Sequence, residues 1–378
     1  MEIPEKKLGF GFMRLPLKNA EDKKSIDLEQ VEQMADLFLS RGFTYCDTAW
    51  MYHEFESEPA VGRAVVDRHD RSSFTIATKM PDMMLKSSEE VEQIYEAQKA
   101  KLHVDHFDYY LMHNMNLENY EKAKKFGALD FCRRKRAEGE IRCLGFSCHD
   151  TPEHLDQILN ECPDLEFVQL QINYLDWESK DVQAKACYET AVKHGKKVVV
   201  MEPVKGGKLA DPGPEVTAML KEVHPDWTPA SWAIRFAASL PEVMVVLSGM
   251  STLAQVEENT AFMQNFTPLT ADETALLMKA AEIIRSHTAI PCTDCEYCLE
   301  ANHCPKHLMI PAYFSIYNLR VLRQETGESP EAEKYRSYLR QGYGKAGDCI
   351  ACHGCEKVCP QHIQISAWMK KVSENLDL

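Results

Sequence analysis

Short apolar runs alternate with longer amphipathic stretches along the chain as far as about residue 265. Eight runs have the length of strands, and several are apolar at nearly every position, as strands buried on both faces are. They are Leu8–Phe12, Thr44–Asp47, Phe74–Lys79, Asp108–Met112, Arg142–Ser147, Phe167–Ile172, Lys197–Met201 and Val243–Ser248. Eight strand–helix units in this length predict an α/β fold, a (β/α)8 TIM barrel, rather than a doubly wound sheet.

The pattern changes after a last amphipathic stretch at Asp272–His287. From Pro291 onward the chain is rich in cysteine, and two helical segments stand out, at Tyr313–Arg323 and Glu331–Arg340. A chain of 378 residues is also long for a single core. The sequence therefore predicts a barrel domain over 1–286 and a small, mostly α-helical domain over 287–378.

Composition narrows the classes of partner. The formal net charge is −15, from 43 basic and 58 acidic residues. This balance argues against nucleic acid and anionic membranes, which require basic surfaces. The opening residues lack an apolar signal segment, and no apolar run reaches the length of a membrane span. We therefore expect a cytoplasmic protein.

Four polar residues follow the ends of successive predicted strands. Asp47 ends the second strand and Tyr52 comes five residues later, while Lys79 ends the third strand and His113 follows the fourth. Strand ends on one face of a parallel barrel converge, so these side chains are expected to share one site. Each residue alone is ordinary at a strand end, where an Asp caps a turn or a Lys is solvated. The four together favour a catalytic site.

In this order and strand context, Asp47, Tyr52, Lys79 and His113 resemble the catalytic tetrad of the aldo-keto reductases. The resemblance implies reduction of a small-molecule carbonyl substrate, an aldehyde or ketone, by hydride from NADPH or NADH. Tyr52 would be the general acid, and His113 would orient the carbonyl oxygen. A free tyrosine has a pKa of about 10, and the ammonium of Lys79 would favour the phenolate form. Asp47 would supply the counter-charge.

The same resemblance extends to residues that follow strands five to eight. The positions that match the family's dinucleotide contacts are Ser147, Gln169, Pro203, Gly206, Gly207, Leu209, Gly249, Gln255, Glu258 and Asn259. Two positions depart from the family pattern. Cys148 stands where an Asn is usual, and Gln255 stands where an Arg commonly holds the 2′-phosphate of NADP. Glutamine lacks the fixed charge of arginine, so the choice between NADPH and NADH stays open.

Eight of the 14 cysteines lie in the last part of the chain. The second group has the spacing C-x2-C-x2-C-x3-C-P of bacterial ferredoxins, and the first differs only in a longer last interval. In ferredoxins with two clusters, the fourth cysteine of each run binds the other cluster. This predicts two [4Fe–4S] clusters with exchanged ligands. One would be held by Cys292, Cys295, Cys298 and Cys359, and the other by Cys349, Cys352, Cys355 and Cys304.

Structural zinc is the competing interpretation of paired C-x2-C units. Two successive runs that each end in Cys-Pro favour iron–sulfur clusters. The helical segments between the runs resemble the alpha-helical ferredoxins, and the whole chain resembles the aldo-keto reductases with a C-terminal ferredoxin-like domain.

Two hypotheses about function follow. In the first, an NAD(P)H-dependent reductase carries a pair of clusters that serve electron transfer or structure. In the second, the chain is an electron-transfer or redox-sensing protein on a barrel with weak or no reductase activity, because a fold does not guarantee an activity. Either hypothesis leaves room for a redox protein as a partner.

Overall fold

The computed structural model describes residues 3–20, 22–180, 182–300, 302, 304–322 and 326–377. Its centre is a closed barrel of eight parallel strands, each paired with the next along the chain and β8 paired with β1. The strands are β1 (Leu8–Gly11), β2 (Tyr45–Asp47), β3 (Thr75–Met80), β4 (Phe107–Met112), β5 (Ile141–Cys148), β6 (Phe167–Gln171), β7 (Lys197–Met201) and β8 (Val243–Ser248). The predicted (β/α)8 barrel is confirmed, and each strand overlaps the run predicted for it.

The helices up to α11 are α1 (Leu28–Ser40), α2 (Ser57–Val61), α3 (Glu89–Leu102), α4 (Leu117–Lys125), α5 (Ala128–Ala137), α6 (Pro152–Glu161), α7 (Ala184–Lys193), α8 (Pro214–Val223), α9 (Pro229–Ala238), α10 (Leu253–Gln264) and α11 (Ala271–His287). Those that follow are α12 (Tyr297–Glu300), α13 (Ile310–Leu322), α14 (Pro330–Arg340), α15 (Gly354–Lys357) and α16 (Ile365–Leu376). Several begin at polar caps, as at Asp27 and Thr252, whose side chains accept backbone N–H groups. The predicted end of α13 at Arg323 lies outside the described residues.

Large side chains fill the barrel interior. Tyr45, Tyr109 and Phe167 point inward from β2, β4 and β6 and form one buried cluster with smaller apolar residues. The rings of Tyr45 and Tyr109 lie 4.8 Å apart between centroids. A filled interior closes the barrel to solvent below the strand ends, so polar chemistry is confined to the face where the parallel strands end.

The chain forms two compact units. The first comprises Met1–Glu178, Gln183–Val204 and Ser231–Ala271, and the second comprises Ser179–Val182, Lys205–Ala230 and Asp272–Leu378. The segment between β7 and β8 thus contributes most of its length to the second unit. The domain boundary expected at residue 287 stays a prediction.

The second unit is helical and has its own apolar core. Tyr313 and Phe314 of α13 pack with Met369 and Val372 of α16. Arg320 of α13 is also buried, and its guanidinium donates to the side chains of Asn375 and Ser329 and to a backbone carbonyl. This core fixes the ends of the segments that carry the cysteines. Across the described residues, no helix is both long and apolar enough to cross a membrane.

Candidate active site

A buried ion pair lies at the ends of β2 and β3. Lys79 Nζ donates to Asp47 Oδ1 at 2.7 Å and to the carbonyl oxygen of Thr48 at 2.8 Å. The side chains are 0% and 4% exposed. Burial raises the pKa of Asp47 and lowers the pKa of Lys79, and the charge of each opposes the shift of the other. Each charge thus compensates for the burial of its partner.

The rings of Tyr52 and His113 complete the group. Lys79 Nζ lies 5.2 Å from the centroid of the Tyr52 ring. The rings of Tyr52 and His113 meet edge to face, with centroids 6.1 Å apart and an interplanar angle of 85°. Both residues are buried. The structure therefore brings together all four residues that the sequence singled out at the strand ends.

The electrostatic surroundings favour a neutral imidazole at His113. Burial lowers the pKa of His113 well below its ordinary value of 6.5, and the nearby positive charges of Lys79 and His149 act in the same direction. A neutral imidazole carries one N–H donor and one acceptor nitrogen. His113 is thus equipped to hydrogen-bond with an oxygen atom near neutral pH without carrying a charge of its own.

A buried polar network behind Lys79 was missed by the sequence interpretation. Glu58 of α2 accepts hydrogen bonds from the side chains of Thr78 at 2.7 Å and Gln98 at 2.8 Å. Gln98 also donates to the carbonyl oxygen of Lys79 at 2.9 Å, and Tyr110 donates to Gln98 at 2.6 Å. The negative charge of Glu58 counteracts the lowering of the Lys79 pKa by burial. The network therefore supports both the backbone and the charge of Lys79.

Asp82 holds the end of β4 in place. Its Oδ2 accepts the backbone N–H of His113 at 3.0 Å, and the residue is fully buried. Burial raises the pKa of Asp82 well above its ordinary value. The sequence interpretation also missed Asp82. Its role is revealed only by its hydrogen bond to His113, which lies more than thirty positions further along the chain.

His53, which follows Tyr52, has a structural role. Its Nε2 accepts the backbone N–H of Leu15 at 3.0 Å, so its Nδ1 carries the proton and donates to the carbonyl oxygen of Lys23 at 3.0 Å. The ring thereby joins the segment after β1 to the Tyr52 loop.

The predicted nicotinamide contacts lie on β5 and β6. Gln169 is buried, and its Oε1 has no hydrogen-bond partner among the described residues. Its Nε2 is 3.5 Å from the sulfur of Met201. The hydroxyl of Ser147 accepts the backbone N–H of Asn114 at 2.7 Å and keeps its own hydrogen to donate. A buried amide oxygen without a partner is costly, and the carboxamide N–H group of a nicotinamide would satisfy it.

The predicted adenine-side residues follow β8 in the first unit. Gln255 accepts the backbone N–H of Ser251 at 2.7 Å through its side chain, so it closes the first turn of α10. Asn259 donates to the Ser248 hydroxyl at 3.1 Å, which orients it toward the end of β8, while Gly249 and Glu258 are exposed. The side chain of Gln255 thus supplies a helix cap where a phosphate-binding cation would stand.

The segment after β7 is divided between the units. Pro203 belongs to the first unit, whereas Gly206, Gly207 and Leu209 belong to the second. Gly206 has a positive φ of 64° and packs so tightly that a Cβ there would lie 2.1 Å from the carbonyl oxygen of Thr293. Glycine is therefore required at this position. The dinucleotide contacts expected of these four residues stay predictions.

The cysteines of the second unit fall into two groups. Cys304, Cys349, Cys352 and Cys355 line one cavity, together with the apolar side chains of Leu308, Ile310 and Met369. The pKa of Cys355 is raised to about 12, mainly by burial and further by nearby Glu356, Cys349 and Cys304. Thiols that line an apolar pocket are hard to ionise, and binding of a metal would convert them to thiolates. This donor set fits an iron–sulfur cluster.

The remaining four cysteines are neighbours of one another. Burial raises the pKa of Cys298, and nearby Cys295, Cys292, Cys359 and Cys355 each add to the increase. Burial raises the pKa of Cys292 to about 12 as well, while the positive charge of Lys208 acts in the opposite direction. Cys304 thus lines a cavity with the first three cysteines of the second run, and Cys359 lies near Cys292 and Cys298. The exchange of ligands between two clusters stays a prediction.

The barrel with its strand-end tetrad defines an oxidoreductase-type TIM barrel, and comparison with known families agrees. The model of the Aldo/keto reductase family matches residues 7–282, and a 4Fe-4S dicluster domain matches residues 291–363. The chain belongs to the aldo/keto reductase family and continues into a ferredoxin-type domain. This match confirms the resemblance drawn from the tetrad and from the cysteine spacing.

Solved structures show the same barrel at low identity. The holo form of an aldo-keto reductase from Bacillus halodurans is 23% identical, with a TM-score of 0.56 over 74% of this chain and 95% of that one. An aldo-keto reductase from Klebsiella pneumoniae in complex with NADPH is 20% identical, with a TM-score of 0.55 over 72% and 90%. At these identities the likeness establishes the fold. The comparison with curated proteins found no match.

We expect His113→Gln to weaken the pH dependence of stability below about pH 6.5. Unfolded His113 binds a proton there whereas the buried imidazole does not, so the unfolded state gains stability as the pH falls. This residue alone lowers the free energy of unfolding by up to about 1.4 kcal/mol per pH unit, and the variant loses that contribution. Denaturant titrations over this pH range measure the slope. Replacing the exposed His103 by Gln is the control, and equal slopes for wild type and His113→Gln would contradict the neutral imidazole.

Proposed function

We propose that this protein reduces the carbonyl group of a small aldehyde or ketone with NADPH or NADH, and that its second unit carries two [4Fe–4S] clusters. The observation that carries the reductase proposal is the convergence of Tyr52 and His113 on the buried Lys79–Asp47 pair. The NADPH bound to the Klebsiella pneumoniae relative supports a nicotinamide dinucleotide as the cofactor.

Each of the four side chains has its own role in the transfer of a proton to the substrate. Bound NADPH or NADH would supply a hydride to the carbonyl carbon, which turns the carbonyl oxygen into an alkoxide. Tyr52 gives its hydroxyl proton to that oxygen, and Lys79 stabilises the phenolate that remains. His113 donates its N–H to the same oxygen and fixes its direction. Asp47 keeps Lys79 in place and compensates its charge in the buried site.

Gln169 Oε1, which has no hydrogen-bond partner among the described residues, supports a contact between β6 and the carboxamide of the nicotinamide. Gln169 Oε1 would accept from the nicotinamide amide group, and the free hydrogen of the Ser147 hydroxyl would be donated to the amide oxygen. Gln255 offers no cation to a 2′-phosphate, so both NADPH and NADH remain in the proposal.

The cysteine groups support the two clusters. Cys292, Cys295, Cys298 and Cys359 would hold one, and Cys349, Cys352, Cys355 and Cys304 the other. Each cluster carries one electron at a time, whereas hydride transfer moves two together. The clusters therefore serve structure or electron exchange with a redox protein partner, separately from the hydride step.

Replacing Tyr52 by Phe is expected to lower kcat by roughly 10²–10⁴-fold, because the ring remains but the acid is lost. Dinucleotide affinity should stay near the wild-type value. Oxidation of NADPH or NADH against a panel of small aldehydes and ketones gives the rate, and fluorescence titration gives the affinity. Tyr188→Phe in α7 is the matched control. Full activity of Tyr52→Phe, or absence of dinucleotide binding by the wild type, would overturn the proposal.

Gln169→Leu should weaken dinucleotide binding about tenfold, since one net hydrogen bond of about 1.4 kcal/mol disappears. The same change at Gln157, exposed on α6, is the control and should leave the affinity unchanged. Fluorescence titration with each dinucleotide measures the dissociation constants. Unchanged affinity in Gln169→Leu would show that Gln169 Oε1 faces some other group.

Cys304→Ala should remove one cluster and leave the other, so anaerobically purified protein would fall from about eight irons to about four. Iron and sulfide analysis gives the count, and EPR of the reduced protein shows which signal is lost. Cys187→Ala in α7 changes a buried cysteine outside both runs and serves as the control. If Cys304→Ala keeps all its iron, Cys304 is not a ligand.

A further inference from the structure

The segment that directly follows β7 meets the cysteine motifs at two points of the second unit. Lys205 Nζ donates to Gln361 Oε1 at 2.9 Å, and both residues are buried. Gln361 comes two positions after Cys359. The second contact is at Gly206, which lies against the backbone of Thr293, the residue after Cys292.

The two contacted residues therefore flank two ligands of the same proposed cluster, one from each cysteine run. The segment that begins at Lys205 thus contacts a residue next to a proposed ligand in each of the two cysteine runs.

The backbone of the segment is held in an unusual conformation. Lys205, Gly206 and Gly207 all have positive φ, at 48°, 64° and 94°. A lysine in the left-handed region is costly and persists only where its surroundings impose it. Here the surroundings are the cysteine loops themselves. This conformation places the side chain of Lys205 in the interior of the unit, although lysine side chains are rarely buried.

We propose that Lys205 is a positioning residue for the cluster of Cys292, Cys295, Cys298 and Cys359, and that its buried charge raises the reduction potential of that cluster above the value the cysteines alone would give. The inference rests on the proposed cluster ligands and is independent of the reductase activity.

The physical reason is charge. Reduction of a [4Fe–4S] cluster adds one electron and hence one negative charge. A nearby ammonium stabilises the reduced form more than the oxidised form, and burial reduces the screening of that attraction by water. Hydrogen bonds and net charge around the sulfurs are the established means by which a protein sets such potentials. The hydrogen bond to Gln361 Oε1 fixes the position of the Lys205 ammonium.

The test is a potentiometric titration of the anaerobic full-length protein, with the EPR signals of the reduced clusters as the readout. In Lys205→Met we expect the reduction potential of one cluster to fall by about 59 mV. For one electron, this shift is a tenfold decrease in the ratio of reduced to oxidised cluster. The other cluster should keep its potential, and the iron content should stay at about eight. Lys205→Arg should keep the wild-type potential, because it retains the charge.

Lys221→Met, which removes an exposed lysine of α8 in the same unit, is the control for general charge effects. If Lys205→Met fails to hold its iron, Gln361→Glu decides the matter, because a carboxylate beside Lys205 cancels the charge without removing it. The same one-cluster shift in Gln361→Glu supports the inference.

The inference is wrong if the variant that keeps its iron shows unchanged reduction potentials or equal shifts of both clusters. A wild-type protein without iron would overturn both this inference and the proposed clusters.

Discussion

The contact between the Lys79 ammonium and the Asp47 carboxylate is the interaction on which the candidate active site depends. Two charges inside a filled barrel are tolerated only as a close, hydrogen-bonded pair. The pair fixes the position of positive charge beneath the Tyr52 ring, and the same charge helps to keep His113 neutral. One buried contact thus places a positive charge beside the Tyr52 ring and adds to the effect of burial on His113.

Around the pair, the fold supplies support that is distributed over several elements. Glu58 comes from α2 and Gln98 from α3, and both act on Lys79 or on its neighbour Thr78. Asp82 holds the backbone at His113. Non-glycine residues with positive φ occur just after two of the strand ends, at Asn114 and Glu202. Such conformations persist where surrounding structure determines them, which is typical of functional sites.

The barrel was predictable because each strand is a local apolar run, and the tetrad was predictable because strand ends must meet. The cysteine groups were predictable for a similar reason, since their spacing is local. Glu58 and Asp82 were not predictable, because their roles depend on hydrogen bonds to residues distant in sequence.

Lys205 shows the same limit. As a lysine in a glycine-containing turn it resembles a phosphate-binding residue, and only the fold reveals its bond to Gln361, which is 156 positions away in the chain. A local pattern can indicate that a turn exists, whereas its packing partners are set by the tertiary structure.

The route of the chain through the second unit has a consequence for dissection of the protein. Residues 205–230 belong to that unit although both ends connect directly to barrel segments. A chain ended at residue 286 would keep Lys205 and Gly206 but lose Gln361 and Thr293, and with them the hydrogen bond from Lys205 to Gln361 and the packing of Gly206. The ferredoxin-like part expressed alone would lack residues 205–230, which belong to the same compact unit. The two parts are therefore interwoven in sequence, and an exchange of modules between relatives would have to transfer the insert together with the tail.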